Sequence, residues 1–368
     1  MKKIIVGVIA VILIVVGVSY FGKNSSQPSV KEPIKIGVSL PLTGEIASWG
    51  EAGRYGAELA IKEINENGGV NGRMINLVFE DDKCSKDGAS VFNKLVNVDK
   101  VDAIIGPACS AAAAPGLPIA QNAGIPTIIW ASAPALPKIG DYIFRAYPSD
   151  SFQGKFAAEF AINTLKKSSV AVLYVKNDWG QGIRDVFVPQ FKAFGGKVVY
   201  DEGVSQDSKD LRSFVTKIKA VNPDIIYFPA HPAVGIIGLR QMKEFGISAP
   251  MLGGDAFESD EVFKSGFAED VMYTVGVIRN PDEFKMRIKN EFGKDSNVIS
   301  SLTYDAVKIL ASVFIKAGTQ HSAVRDALAV LSYKNGISLP VIEFDENGDL
   351  KSAEFEVKVI KGEKAIKR

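Results

Sequence analysis

A chain of 368 residues is too long for one small core and implies two or more domains of ordinary size. Its content, 46% hydrophobic and 23% charged, is that of a globular protein. Acids and bases nearly cancel, at a formal net charge of +1, which excludes the basic excess expected of a nucleic-acid binder.

The first element is apolar. Lys2 and Lys3 precede "IIVGVIAVILIVVGVSYF", Ile4 to Phe21, an uncharged run long enough to be a signal peptide or a single membrane-spanning anchor over residues 1–21. No small-x-small cleavage site closes the run and no cysteine stands near it to carry a lipid, which favours the uncleaved anchor. The two lysines would stay cytoplasmic and place the rest of the chain outside, in an extracytoplasmic location. Residues 22–33, "GKNSSQPSVKEP", are polar and turn-rich and read as a flexible tether.

From there strands alternate with helices. "IKIGVSL" (Ile34–Leu40) is a buried strand, and "GRYGAELAIKEINENGG" has helical periodicity that stops at Asn67-Gly68-Gly69. "MINLVFEDD" is a strand, followed by a helix around Ala89–Val98. "VDAIIG" is a strand, "AAAAPGLPIAQNAG" a helix and "IPTIIWA" a strand. The pattern then repeats: strand Val170–Val175, helix Gln181–Phe194, strand "KVVYDEG", helix Lys209–Ala220, strand "PDIIYFPA", helix Ala233–Phe245, strand "PMLGGD". Strands separated by helices imply parallel sheets wound right-handedly with helices on both faces. Two such runs, divided near Phe144–Asp150, imply an α/β chain of two doubly wound lobes. Beyond Asn280 come helices over Asp282–Phe292 and Val298–Ala317. The stretch "LPVIEFDENGDLKSAEFEVKVI" reads as strands joined by the turn Asp345–Asp349.

Catalytic signatures are missing. There is no GxSxG elbow, HExxH or GxxxxGK[ST] loop, and two histidines in the whole chain leave little material for general acid–base chemistry. "GEAGRYG" (Gly50–Gly56) is not the GxGxxG fingerprint; its glycines let a helix start pack closely against a neighbour. Asp81 and Asp82 read as a solvated turn or a cap. No convergent catalytic set emerges, so a non-enzyme is expected. Cys84 and Cys109 are the only cysteines, and an even pair in an exported chain favours a disulfide. A metal site is not expected from two cysteines and two distant histidines without a CxxC, and no cofactor is implied.

In doubly wound sheets ligands bind outside the carboxyl ends of the strands. The residues just past each expected strand are therefore informative: Trp49 after the first, Ser110 after "VDAIIG", Trp130, Ala131 and Ser132 after "IPTII". Trp179 comes after "VAVLYV", His231 after "DIIYF" and Asp255 after "PML". All three tryptophans of the chain fall in these places. A serine where a strand gives way to a helix is most often a cap, but a helix start also presents free N–H groups to an anion. Aromatic walls, hydroxyls with fresh helix starts on one side and a carboxylate on the other suit a compact zwitterion, carboxylate to Ser110 and ammonium to Asp255.

With these residues in place, the chain resembles the branched-chain amino-acid-binding proteins of ABC transporters, which have the type I periplasmic binding fold. The likeness runs from about Ile34 to the C-terminus. It is carried by "IKIGVSLPLTG", "WGEAGRYGAELAIKEINENGGVNG", "EDDKC", "IIGPACS", "SAPAL", "FRAYPSDSFQG", "NDWGQG", "LRQMKEFG", "GGDAF", "LTYDAVKILASVFIKAG" and "FDENGD" in order. The resemblance implies two lobes joined by a three-crossing hinge, with residues 34–147 and 280–334 in the first lobe and 148–279 and 335–368 in the second. The crossings fall near Ala146–Pro148, Val277–Asn280 and Tyr333–Gly336. It implies a disulfide between Cys84 and Cys109 and carboxylate binding by Ser110, Ala131 and Ser132. The resemblance puts the family's aromatic wall at Trp179, with His231 replacing a second aromatic, and the ammonium on Asp255, while Trp49 is a candidate by its place after the first strand. It also implies a monomer that delivers a small amino acid, leucine-type by family default, to a membrane permease with its ATPase subunits. The chain departs from the family pattern at Trp179, His231 and Asp255, and at Trp130, where a small or turn residue is usual. Amides, urea or small aromatic acids are alternative ligands, and an extracellular ligand-sensing domain is the alternative function.

Overall fold

The structure, a computed structural model, describes residues 32–334 and 336–368. The apolar run over 1–21 and all but the last two residues of the expected tether lie outside the described residues. Parallel strands require long crossovers, usually helical, and the alternating sequence builds two sheets this way. The first contains β1 (Ile34–Leu40), β2 (Ile75–Asp81), β3 (Ala103–Ile105), β4 (Thr127–Ile129) and β5 (Ile143–Arg145) in the order β2-β1-β3-β4-β5, all parallel. Helices α1 (Ala47–Glu66), α2 (Gly88–Asn93) and α3 (Ser110–Ala123) connect them.

The second sheet contains β6 (Ser169–Val175), β7 (Lys197–Val204), β8 (Ile225–Phe228), β9 (Met251–Gly253) and β10 (Met272–Gly276), all parallel. Between and before them lie α4 (Asp150–Glu159), α5 (Asp178–Ala193), α6 (Arg212–Val221), α7 (Pro232–Glu244) and the short α8 (Asp260–Phe263). The chain then returns to the first lobe with α9 (Asp282–Phe292), α10 (Val298–Ala317), α11 (His321–Ala329) and a two-stranded ribbon of β11 (Ser332–Lys334) and β12 (Val341–Glu343). Last, β13 (Phe355–Lys361) and β14 (Lys364–Lys367) join the second sheet antiparallel, giving the order β14-β13-β10-β9-β8-β6-β7.

Successive strand residues point to opposite faces, so each lobe has two cores. Ile34, Ile36, Val38 and Leu40 bury against Phe284, Leu302, Val307 and Phe314 of α9 and α10, while Ile104 and Ile129 pack with Phe92, Leu95 and Leu117 on the other face. In the second lobe Leu173, Ile226 and Phe228 meet Val215, Ile218 and Leu239, and Val172, Ile225 and Tyr227 meet Ala157, Ile183 and Phe187. The spaced glycines of "GEAGRYG" lie inside α1. A Cβ at Gly56 would overlap the carbonyl of Ser300 on α10, so the two helices touch backbone to backbone.

The structure differs from the sequence expectations in three ways. Helices α4, α8 and α11 and strands β5, β10, β11 and β14 are additional elements. The strands flanking the Asp345–Asp349 turn do not pair with each other: β12 pairs with β11 and β13 with β10, and only Phe344 and Leu350 bridge the turn. Residues 335–368, expected together on the second lobe, are divided. Leu339, Ile342, Phe344 and Leu350 are buried in the first core, and the Arg145 N–H donates to the Gly348 carbonyl at 2.7 Å. The last passage to the second sheet therefore comes after Leu350 rather than at Tyr333–Gly336. Ile342 and Phe344 alternate with acids, which gives this segment one apolar side, and Phe344 uses it against Phe144 at 5.2 Å between ring centroids.

Candidate functional site

The residues just beyond β3, β4, β6, β8 and β9 line one cleft of about 890 Å³, together with Trp49 near the start of α1. Ser110, Trp130 and Ser132 come from the first lobe, Trp179, His231 and Asp255 from the second. Ala131 is not on the lining. It is fully buried and its carbonyl accepts from Arg145 Nη1 at 3.3 Å, so its neighbour Trp130 takes the place on the wall. The lobes touch across the cleft where Trp49 packs against Val175, Trp179 and Ala256.

Ser110 is the first residue of α3, and the N-cap position belongs to Cys109, whose side chain makes no capping bond. The Ser110 hydroxyl does not cap either. Its Oγ accepts from the Ala133 N–H at 3.2 Å, which leaves its own proton for an acceptor in the cleft. Ser110 and Ala111 thus present a hydroxyl and a helix start on the same wall. A disulfide joins Cys109 to Cys84, tying the loop after β2 to the N-cap residue of this helix.

Ser132 Oγ donates to Asp150 Oδ2 at 2.9 Å. Across the cleft, Tyr147 Oη of the first lobe donates to Asp255 Oδ2 of the second at 2.9 Å. Burial raises the Asp255 carboxyl above the ordinary aspartate value, with the Tyr147 hydrogen bond opposing it. Burial and the nearby charge of Asp255 push Asp150 up as well. Behind these two acids, Asp150 Oδ1, Gln153 Oε1 and Tyr227 Oη are buried without a protein partner. Buried polar atoms of this kind are commonly met by ordered water.

The aromatic part of the wall is set by α5 and α7. Asn177 caps α5 by accepting the Gly180 N–H at 2.9 Å, and this fixes the first turn on which Trp179 stands. The ring of Trp179 lies 4.9 Å from that of His231 between centroids. His231 is the N-cap residue of α7, ahead of Pro232, and burial lowers its pKa to about 4, so the ring is neutral at pH 7. Three lysines line the outer cleft and each is paired: Lys285 with Asp282, Lys294 with Glu51, Lys358 with Glu258. Among the described residues no group of three or more His, Cys, Asp or Glu side chains is arranged to hold a metal ion.

Sequence reasoning passed over Tyr147 and Asp150, which sit in "FRAYPSD", a segment read only as the division between lobes. It also passed over Asn177 and Arg145, which act through other residues. The available signal was the density of polar and aromatic residues at a point where the chain leaves one sheet and has not begun the next.

Comparisons with known proteins agree with this geometry. A family model described as periplasmic binding protein matches residues 33–363. An amino acid binding protein of Pseudomonas aeruginosa is 32% identical over 335 residues, covering 88% of this chain and 89% of that protein. A leucine-, isoleucine-, valine-, threonine- and alanine-binding protein of the same organism is 31% identical over 349 residues, covering 90% and 91%. Among solved structures, a leucine binding protein of Thermotoga maritima superposes with a TM-score of 0.83 at 26% identity, covering 91% of this chain and 97% of that one.

Proposed function

The chain belongs to the periplasmic binding protein family, and from that premise we propose that it is the extracytoplasmic solute-binding component of an ABC importer for a small amino acid. The observation that carries this reading is the opposition across one cleft of Ser110, at the start of α3, and Asp255, after β9. A free hydroxyl at a helix start suits a carboxylate, and a carboxylate on the other lobe suits an ammonium. The names of the relatives, which are those of amino-acid binders, support the same ligand class.

In this reading the ligand carboxylate sits on Ser110 and the N–H groups of the α3 start, its ammonium on Asp255, and its side chain among Trp49, Trp130, Trp179 and His231. A ligand that touches both lobes favours the closed arrangement, since only there are both sets of contacts made. The closed form then docks on a membrane permease served by ATPase subunits, and the ligand leaves unchanged.

The test is the melting temperature of the full-length chain against L-amino acids, their amides, urea and benzoate. A ligand that binds only the folded state stabilises it by about 2.7 kcal/mol at a hundredfold excess over Kd. A rise with free amino acids, lost in Asp255→Asn, is the expected result. A rise with benzoate or urea alone, or amino-acid binding that Asp255→Asn leaves unchanged, overturns the zwitterion assignment.

A further inference from the structure

Two residues that line the cleft carry a ring N–H group with no acceptor in the protein. The first belongs to His231, and Asn177 identifies which of its nitrogens carries the proton. Asn177 Oδ1 accepts from Gly180, so the amide orientation is fixed and Nδ2 is the donor end. That nitrogen lies 2.8 Å from Gln206 Oε1 and 3.1 Å from His231 Nε2. Its two hydrogens serve these two acceptors, and a ring nitrogen that accepts carries no hydrogen. The neutral imidazole therefore holds its proton on Nδ1, which is buried and unpartnered. The second group is Trp130 Nε1–H, a donor in every state, likewise buried and unpartnered.

The two side chains come from opposite lobes and both line the cleft. Trp130 is 2% exposed and His231 7% exposed, and both ring nitrogens are buried from solvent in this arrangement of the lobes. A buried donor that gives up water and gains nothing is unfavourable, so a bound molecule that offers these two donors an acceptor is favoured over one that does not. A purely aliphatic side chain has no acceptor to give. An acidic one would face Asp255 and Glu258, while Lys285, Lys294 and Lys358 are all held by other carboxylates.

Resting on the amino-acid reading above, we infer that this cleft selects an α-amino acid whose side chain carries a neutral oxygen acceptor, an amide carbonyl or a hydroxyl, over an aliphatic amino acid of the same shape. His231 and Trp130 are then the residues that set specificity, and the positions where this chain departs from its family's usual pattern are those that change the ligand. Discrimination of this kind is strong, because a site built to hydrogen-bond rejects the analogue lacking the partner far more sharply than an apolar pocket rejects a misfit.

Isosteric pairs provide the experiment. Asparagine and leucine, threonine and valine, and glutamine and homoleucine are titrated into the full-length chain by calorimetry. At least one polar member is expected to bind tenfold or more tighter than its aliphatic partner. That ratio is expected to fall at least tenfold in His231→Phe or Trp130→Phe, with folding of each variant checked by its melting transition. If neither variant folds, the ratios measured on the unaltered chain decide alone. Aliphatic members binding as tightly as polar ones overturn the inference while leaving the zwitterion clamp in place. A polar preference that survives both substitutions also overturns it. No binding by any of the six, with binding of benzoate or urea, overturns the inference and the amino-acid reading together.

Discussion

Arg145 and Asp349 form a bidentate ion pair across 204 residues of chain, Nε donating to Oδ1 and Nη2 to Oδ2, each at 2.6 Å. The guanidinium is fully buried, and its remaining donors reach the carbonyls of Ala131 and Ala133 and the hydroxyl of Ser149. One side chain therefore fastens three pieces of the chain together. These are the loop carrying Ser132, the N-cap of α4, and the turn that precedes the last passage between lobes.

Arg145→Met is expected to leave a carboxylate and two carbonyls without their donors. Breaking a buried pair by removing one partner typically destabilises by about 3–5 kcal/mol. Urea unfolding measures this directly, and a loss below about 1 kcal/mol would mean that the network is not a stabilising one.

Binding of an ammonium by Asp255 requires the carboxylate form, and burial raises the pKa of that group. Affinity is therefore expected to rise with pH through the raised Asp255 titration, by up to tenfold per pH unit, and then to level off. The charge of Asp255 also pushes the buried Asp150 carboxyl up, so the two acids influence one another's titration. Tyr147 holds the Asp255 carboxyl down through its hydrogen bond, so Tyr147→Phe should move the rise to higher pH. Calorimetry between pH 4.5 and 8 checks both; an affinity flat across that range excludes Asp255 from the ammonium role.

Asp82 is a test of stability rather than binding. It is buried beneath the loop that holds Cys84, accepting from Ser39 Oγ at 2.8 Å and from the Cys84 N–H at 2.9 Å, and burial raises it from 3.8 to about 6. The folded value thus lies above the unfolded one, which sets the sign. The stabilising contribution of this proton is complete below the ordinary aspartate value and is lost as pH rises through about 6. Relative to Asp82→Asn, which does not titrate, the unaltered chain should lose about 3 kcal/mol between pH 3.5 and pH 7. Denaturant midpoints at several pH values give the answer, and a difference that does not vary with pH counts against it.

The Cys84–Cys109 bond closes a sequence separation of 25 residues. On the chain-entropy account, opening such a loop costs about 3.5 kcal/mol. The double substitution Cys84→Ser with Cys109→Ser should lower the unfolding free energy by that order and, because Cys109 is the N-cap residue of α3 next to Ser110, weaken ligand binding as well. Stability within about 0.5 kcal/mol of the disulfide-bonded chain would contradict the account.

Much of the fold is legible in the sequence because strand alternation and helix periodicity are both strong here. β1 has the bounds its apolar run suggests, and α9 and α10 span the segments whose periodicity marks them. Among the additional elements, β5 has three residues and β10 is a uniformly buried strand without alternation. The site is legible as far as rules of position reach, since residues past the carboxyl end of a parallel strand line the cleft. The rules fail where tertiary contact decides, as when Arg145 turns the Ala131 carbonyl inward and leaves Trp130 on the wall. They fail again at residues 339–350, whose apolar side finds the first core although the chain is bound for the second sheet.

The placement of the tryptophans has an optical consequence. The chain has three, and Trp49, Trp130 and Trp179 all line the cleft, with Trp49 packed on Trp179 from the opposite lobe. Ultraviolet emission excited at the red edge of the indole band, beyond the absorption of the ten tyrosines, thus arises from residues of the cleft wall. Separation of the lobes would hydrate Trp49 and Trp179 together and change the wavelength and yield of that emission. The protein carries an intrinsic fluorescent gauge of its own closure, and single-tryptophan variants would resolve which lobe responds first.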